Sequence, residues 1–225
     1  MVTTSIRSDA AIQQDVLSEL RWDTRVEETD VGVEVDQGLV ALTGTVSSYV
    51  KKLAAQEAAH RVRGVRDVVN NITVTIPGLT GRTDADIAQA VRRALEWDPL
   101  IPEEKIATTV SNGWITLEGA VERWSQREDA EHAVRHLAGV RGVINRLTVG
   151  APAVAPETVQ AAIEEAMERR AERAAERIEV TVRDGTVTVA GRVNTWAEKQ
   201  AVLGAAGHAP GVRAVEDKLH IAPWA

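Results

Sequence analysis

Apolar residues recur along the chain in a pattern that appears three times. A helical spacing of four residues comes first in each copy, and a two-residue alternation that is typical of strands follows it. A polar residue and a glycine then mark a tight hairpin turn, and a second alternating strand leads to another glycine. A helix rich in small residues and a last strand complete the copy. The predicted order of elements is therefore helix, strand, strand, helix, strand.

Three glycines keep the same spacing in every copy. The second lies six residues after the first, and the third lies twenty residues after the second. We predict that the first glycine takes positive φ in the hairpin turn and that the return strand ends at the second, which permits a sharp exit or the close approach of a helix. The third precedes the last strand. The sets are Gly38, Gly44 and Gly64, then Gly113, Gly119 and Gly139, then Gly185, Gly191 and Gly211.

Both predicted helices of each copy have a recognisable sequence signature. In the first helix the apolar residues lie four apart, and in the second an aromatic residue comes first and small residues follow at helical spacing. Thr83 and Asp84 are candidate caps of the second copy's first helix, and Pro156 suits the first turn of the third copy's. The apolar sets are Ile12, Val16 and Leu20, then Ile87, Val91 and Leu95, then Val159, Ile163 and Met167; the aromatics are Tyr49, Trp124 and Trp196.

These elements predict an α+β protein of three tandem α-β-β-α-β domains. Each domain should form a three-stranded mixed sheet with two helices on one face, because the connection between its parallel strands passes through the second helix. The predicted domains span residues 1–78, 79–150 and 151–225, with linkers at 77–81 and 150–156. Units of this size are marginal alone, so contacts with their neighbours should contribute to their stability.

Composition and charge exclude several classes of function. The net charge of −7 is spread evenly, as −3, −2 and −2 over the three repeats, and this disfavours nucleic-acid binding, which needs a basic surface. The absence of cysteine excludes disulfides, thiolate metal sites and cysteine nucleophiles. No stretch approaches the roughly 20 apolar residues of a membrane-spanning helix. The first residues lack the apolar stretch of a secretory signal. We therefore expect a cytoplasmic protein if Met1 is the native start, and a periplasmic one if the chain has been trimmed.

The sequence contains no arrangement of residues that is typical of catalysis. A phosphate-binding glycine loop, a nucleophile elbow and a framed pair of carboxylates are all missing. Of the five histidines, His132 and His136 have a spacing that can bind a metal, but no third ligand lies nearby in sequence. We interpret this pair as solvated residues on a helix face. We expect no enzyme activity, no cofactor and no metal site.

The repeat resembles the BON domain of bacterial osmotically inducible periplasmic proteins and some lipoproteins. The resemblance rests on the leading helix, the Gly-six-Gly hairpin, the aromatic in the second helix and the closing Gly-Val-Xaa-Xaa-Val strand, and it covers residues 9–76, 84–149 and 157–221. It implies non-enzymatic modules that bind phospholipid surfaces and maintain the envelope under osmotic stress. One cytoplasmic relative is a potassium sensor. This chain departs from the osmotic-stress pattern in lacking a signal peptide and in having three copies rather than two.

Tryptophan and arginine lie together where the first helices end. A Trp beside Arg suits the headgroup region of a membrane, because an amphipathic ring there meets anionic phosphate. The resemblance implies lipid contact by the first helix, and we carry this role over to Arg21, Trp22 and Arg25 in the first repeat and to Arg92, Arg93 and Trp97 in the second. The structural alternative is that both Trp rings pack over the sheet edge or a neighbouring repeat.

Three functional hypotheses follow from these observations. The first is a cytoplasmic binding or scaffold protein linked to osmotic or envelope stress, with weak binding to an anionic phospholipid surface or to a protein partner. The second is an ion sensor whose domains rearrange when a monovalent cation such as potassium binds; such a site can be built from backbone carbonyls and leaves no sequence signature. The third is peripheral attachment to phospholipid through the first helices. The oligomeric state stays open.

Overall fold

A computed structural model of the chain describes residues 7–75, 82–150, 156–170 and 178–221. The predicted linker at 77–81 and residues 151–155 of the second linker lie outside these ranges. The first repeat contains α1 (Asp9–Trp22), β1 (Val31–Asp36), β2 (Leu39–Val46), α2 (Tyr49–Arg61), β3 (Asp67–Asn70) and β4 (Thr73–Val74). The second contains α3 (Asp84–Trp97), β5 (Ile106–Ser111), β6 (Trp114–Val121), α4 (Trp124–Arg135) and β7 (Gly142–Val149). The third contains α5 (Pro156–Arg170), β8 (Ile178–Arg183), β9 (Thr186–Val193), α6 (Trp196–Gly207) and β10 (Ala214–Ile221).

Every repeat forms a mixed sheet whose central strand is the second strand of the hairpin. Strands β1 and β2 are antiparallel, whereas β3 and β4 both run parallel to β2. The second repeat has the order β5-β6-β7 and the third the order β8-β9-β10. In the first repeat the last strand is interrupted at Asn71 and Ile72. The predicted fold class, three tandem α+β domains, is confirmed.

One face of each sheet is covered by the two helices of its repeat. In the first repeat a single buried cluster joins Leu20 of α1, Leu42 of β2 and Ala58 of α2. The residues of α1 that are buried are the three spaced four apart, and those of α2 include four alanines. Small side chains let α2 lie close to the sheet, and the long apolar residues of α1 fill the remaining volume.

The hairpin turns and helix starts confirm the local predictions. Gln37 and Gly38 have φ values of 49° and 79°, and the corresponding residues of the other two repeats have nearly identical values. Two consecutive positive φ angles define the type I′ turn that an Asn-Gly or Asp-Gly pair favours. Thr83 caps α3 in a reciprocal capping box with Asp86. The predicted aromatics are the first residues of α2, α4 and α6.

The prediction that each return strand ends at the second glycine is wrong. Strand β2 continues past Gly44 to Val46, and Gly44 pairs with Val31 across the sheet. A Cβ atom on Gly44 would lie 2.0 Å from the carbonyl oxygen of Asp30, and one on Gly119 would lie 2.1 Å from that of Lys105. The close approach that requires glycine is therefore made by backbone entering the first strand, and not by a helix.

The chain divides into two compact units. The first combines Met1–Pro77 with Arg192–Gln200 and Leu219–Ala225, and the second combines Gly78–Gly191 with Ala201–Lys218. Each unit therefore includes segments of the third repeat. The start of α6 belongs to the first unit and its end belongs to the second.

Candidate functional site

Trp22 and Trp97 end the first helices of their repeats and project into solvent. Trp22 is 80% exposed and Trp97 is 87% exposed. The buried stripe of each helix ends two residues earlier, at Leu20 and Leu95, and a step of two residues turns a helix by about 200°, away from the core. The alternative in which these rings pack over the sheet edge or a neighbouring repeat is therefore wrong.

Leu100 is a second exposed apolar residue, three positions after Trp97 in the sequence. It is 68% exposed, and its backbone N–H donates to Asp98 Oδ1 at 2.9 Å. Ile101, the next residue, is buried and anchors the loop in the core. Sequence reasoning missed Leu100, although an apolar residue directly after an Asp-Pro pair was a usable signal of an apolar loop tip.

The predicted arginines differ in their surroundings. Arg92 and Arg93 are exposed on α3, and Arg93 lies four residues before Trp97 on the same side of the helix. Neither makes an ion pair with any residue in the described ranges. Arg21 is exposed directly before Trp22 and has an interaction of its own within the chain.

Arg25 belongs to an ion-pair network that holds the loop after α1. Its Nε and Nη2 donate to the two carboxylate oxygens of Asp23 at 2.9 and 2.8 Å, and Nη2 also lies 3.0 Å from Glu57 Oε2. Arg61 donates to Asp23 at 3.0 Å and to Glu19 at 3.1 Å. Hydrogen bonds from Arg25 and then Arg61 hold the pKa of the nearly buried Asp23 carboxyl well below its usual range. The Arg25 charge is thus largely satisfied within the protein.

The nine repeat glycines all adopt positive φ, and no other glycine in the described ranges does. At the third position of the set, Gly64 and Gly139 lie against the side chains of Ile12 and Ile87, and an added Cβ would be 3.1 and 2.9 Å from their Cδ1 atoms. Positive φ and tight packing explain why glycine stands at these positions. These residues shape the fold and hold no ligand-binding side chain.

A cavity of about 240 Å³ in the second repeat lies beside the start of α3. Its wall contains the Asp84 carboxylate, which accepts hydrogen bonds from the backbone N–H groups of Asn112 and Gly113 at 2.7 and 2.9 Å. Asp9 accepts the same pair of bonds from Gln37 and Gly38 in the first repeat. Asp84 was predicted as a helix cap, but its side chain ties the helix start to the hairpin turn. The cavity is lined by Arg82, Asp84, Ile87, Asn112, Gly113, Gly139 and Arg141.

The histidines divide into exposed residues and one buried residue. His132, His136, His208 and His220 are exposed, as predicted for the helix-face pair, whereas His60 at the end of α2 is only 8% exposed. Its ring stacks on Trp196, with centroids 3.7 Å apart. No group of three His, Cys, Asp or Glu residues within the described ranges could hold a metal ion.

None of the helices in that part of the chain combines the length and apolarity that a bilayer crossing requires.

The family model of the BON domain matches residues 8–76, 83–151 and 157–223, which together make up most of the chain. The chain belongs to the BON domain family. The BON repeats identified in this way each contain one of the three sheets described above. The resemblance inferred from the glycine register and the aromatic position is confirmed.

Among curated proteins, these BON repeats are similar to the osmotically-inducible protein Y of Escherichia coli (strain K12). The two are 28% identical over 145 residues, a match that covers 62% of this chain and 71% of the relative. Among solved structures, the chain is similar to the C-terminal domain of CdsD, a structural protein of the type III secretion system of Chlamydia trachomatis. That match is 15% identical and covers 96% of this chain and all of the other, with a TM-score of 0.28. A second CdsD structure matches at 16% identity and the same TM-score, over 94% and 92% of the two chains.

The three BON repeats are not equivalent at the exposed Trp position. Trp22 and Trp97 occupy it in the first two, and Arg169 occupies it in the third. The apolar loop residue Leu100 replaces the ion-paired Arg25 of the first repeat. The second repeat therefore has the most apolar of the described helix ends.

Proposed function

We propose that this BON protein is a non-enzymatic binding and scaffold module that attaches weakly to anionic phospholipid surfaces through the ends of α1 and α3. The observation that carries the proposal is the near-complete exposure of two Trp rings at equivalent positions, with the exposed Leu100 three residues after Trp97 in the sequence. Osmotic or envelope stress is the context suggested by the similarity to an osmotically inducible protein.

An exposed Trp is costly in water and favourable at a membrane interface. Its ring has a large apolar area and one polar N–H group, so it suits the boundary between headgroups and acyl chains. Trp97 and Leu100 together present two apolar side chains at a loop tip that is anchored by the buried Ile101. Partial burial of both side chains in the interface supplies the apolar part of the binding free energy.

Arg92 and Arg93 supply the electrostatic part. A basic residue near an anionic leaflet contributes about 1 kcal/mol, and these two guanidinium groups are not neutralised by an ion pair within the described ranges. Arg21 has a similar place beside Trp22, whereas Arg25 holds its own loop through Asp23 and Glu57. The net charge of −7 opposes attraction to an anionic surface, so binding should be weak and sensitive to salt.

Vesicle flotation with the full chain tests the proposal. We expect binding to vesicles of phosphatidylcholine with phosphatidylglycerol at low salt, and much weaker binding to phosphatidylcholine alone. Trp97→Ala should reduce the bound fraction several-fold, and Trp22→Ala combined with Trp97→Ala should abolish binding, because the apolar contacts are lost.

The matched control is Trp114→Thr, since Trp114 is 46% exposed on the sheet and the third repeat has Thr186 at that position. This variant should bind as the original chain does. Absence of binding at low salt, or equal binding by the double Trp variant, would overturn the proposed function.

A further inference from the structure

Each compact unit contains a contact between the second helices of two different repeats. In both contacts a Trp at the start of one helix lies on the last turn of the other. In the first unit Trp196 of α6 stacks on His60 of α2, with ring centroids 3.7 Å apart and planes inclined by 14°. In the second unit Trp124 of α4 lies on Gly207 of α6, where an added Cβ would be 2.5 Å from the Trp Cδ1 atom. His60 and Gly207 occupy the same repeat position, so both Trp rings lie on equivalent parts of a second helix. In one contact the ring meets an imidazole, and in the other it meets a glycine.

Within the described ranges, His60 is the one polar or charged residue that is buried as a whole residue. Its Nε2 atom has no hydrogen-bond partner, although a buried ring nitrogen normally has one. The ring thus acts as a flat apolar surface for the indole of Trp196. This role suits neutral imidazole and not imidazolium, because a buried cation without a partner is strongly disfavoured.

Three charged groups face the imidazole from the elements packed against it. Lys199 of α6 disfavours a second positive charge, and its Nζ lies 5.4 Å from the centre of the Trp196 ring. Asp67 of β3 and Glu57 of α2 favour the charge, but they do not outweigh burial. Burial therefore lowers the pKa of His60 from 6.5 to about 4.

We infer that the His60–Trp196 contact is an acid-sensitive latch, which holds residues 192–200 on the end of α2 while the imidazole is neutral and releases them when it is protonated. From the sequence, only His132 and His136 were considered as possible metal ligands, and no role was assigned to His60. The latch does not depend on the proposed attachment to phospholipid, since neither residue lies at the ends of α1 or α3.

The direction of the pH effect follows from the two protonation equilibria. Once exposed, His60 takes up a proton below about pH 6.5, whereas in the stacked state it stays neutral down to about pH 4. The His60–Trp196 contact therefore has its full stability above pH 6.5 and loses stability as the pH falls from 6.5 towards about 4. At pH 5 the ratio of latched to released molecules should be about 20-fold lower than at neutral pH.

The Trp124–Gly207 contact serves as an internal control within the same molecule. Gly207 has no side chain that can take up a proton, so lowering the pH should not weaken this contact by protonating the residue under Trp124. Loosening that appears at residues 192–200 and not at the start of α4 is the signature of the latch.

The test is an NMR titration of the imidazole signals in the full chain between pH 8 and pH 4, together with hydrogen exchange of backbone amides corrected for the intrinsic effect of pH. We expect the His60 signal to titrate well below pH 6.5, the ordinary pKa of histidine. Between pH 7 and pH 5, protection at residues 192–200 should fall at least tenfold, and protection across residues 124–135 should change little.

The variant His60→Phe keeps a flat ring and removes the titration, so its protection at 192–200 should not depend on pH. His220→Gln replaces an exposed histidine and should behave as the original chain does. A His60 signal that titrates near 6.5, or the same pH dependence in His60→Phe and the original chain, would overturn the latch. The titration of the original chain decides the matter even where His60→Phe folds poorly.

Discussion

At the scale of single residues, the same amino acid has opposite roles three positions apart in α6. Gly204 has no heavy atom near the place where a Cβ would be added, whereas Gly207 is covered by the indole ring of Trp124. A glycine inside a helix is unfavourable relative to alanine because it loses more backbone freedom on folding. Glycine at position 204 therefore only lowers the stability of the helix, whereas glycine at position 207 is needed to leave room for the Trp124 ring.

The first prediction compares alanine at these two positions. Gly204→Ala should stabilise the protein by up to about 1 kcal/mol, since the helix gains intrinsic propensity without a clash. Gly207→Ala should destabilise it by roughly 1–3 kcal/mol, because its Cβ would overlap Trp124. Thermal and urea unfolding measure both changes. Equal shifts for the two variants would show that Trp124 does not rest on Gly207.

At the scale of elements, a carboxylate joins the first helix of a repeat to its hairpin. Asp9 and Asp84 each accept two backbone N–H groups of the type I′ turn, and these donors lie outside the strand ladder. Charge-assisted hydrogen bonds of this kind are stronger than neutral ones. The third repeat has Pro156 where Asp84 stands, so its α5 starts without this link.

The second prediction concerns this link. Asp84→Ala should destabilise the second repeat by about 1–2 kcal/mol, since two turn N–H groups lose their acceptor. Asp84→Asn keeps one acceptor oxygen and should have a smaller effect. The exposed Gln89→Ala on the same helix is the control and should change stability by less than about 0.5 kcal/mol. Hydrogen exchange at residues 106–121 reports the loosened hairpin, and unchanged protection in Asp84→Ala would contradict the prediction.

At the scale of the whole molecule, the three repeats use one backbone plan with different side-chain chemistry. Asp23 and the equivalent Asp98 each accept a hydrogen bond from the backbone N–H two residues later. Within the described ranges, Asp23 also pairs with the side chains of Arg25 and Arg61, whereas Asp98 makes no ion pair. The first repeat thus depends on an ionised carboxylate more than the second does. The tolerance of the whole chain to acid should reflect this difference.

The third prediction is the acid response caused by Asp23. Its pKa is lowered in the folded state, so its contribution to the free energy of unfolding is complete above the unfolded value of 3.8 and is lost as the pH falls below it. Asp23→Asn should lower the unfolding temperature at pH 7 and reduce its further fall below pH 4. Asp98→Asn is the matched control and should have the smaller effect at pH 7. An acid response that is the same in Asp23→Asn and the original chain would contradict the assignment.

The sequence alone determined the repeat, the order of its elements and the family. Turn geometry and helix periodicity are local properties, and residues such as Asn112 and Gly113 specify them without reference to distant parts of the chain. The exposed Trp22 and Trp97 were also identified from sequence as candidate contact residues. Their orientation could have been read from the helical period, since each lies two residues beyond the buried stripe.

The tertiary structure alone decided which partners the distinctive residues have. His60 and Trp196 are far apart in sequence, and no local pattern indicates that the two rings stack. The pairing of Arg25 with Asp23 and Glu57, and the packing of Trp124 on Gly207, likewise depend on how separate elements meet. Burial and long-range contact fix the charge state of a histidine or the role of a glycine, and these are properties of the folded chain.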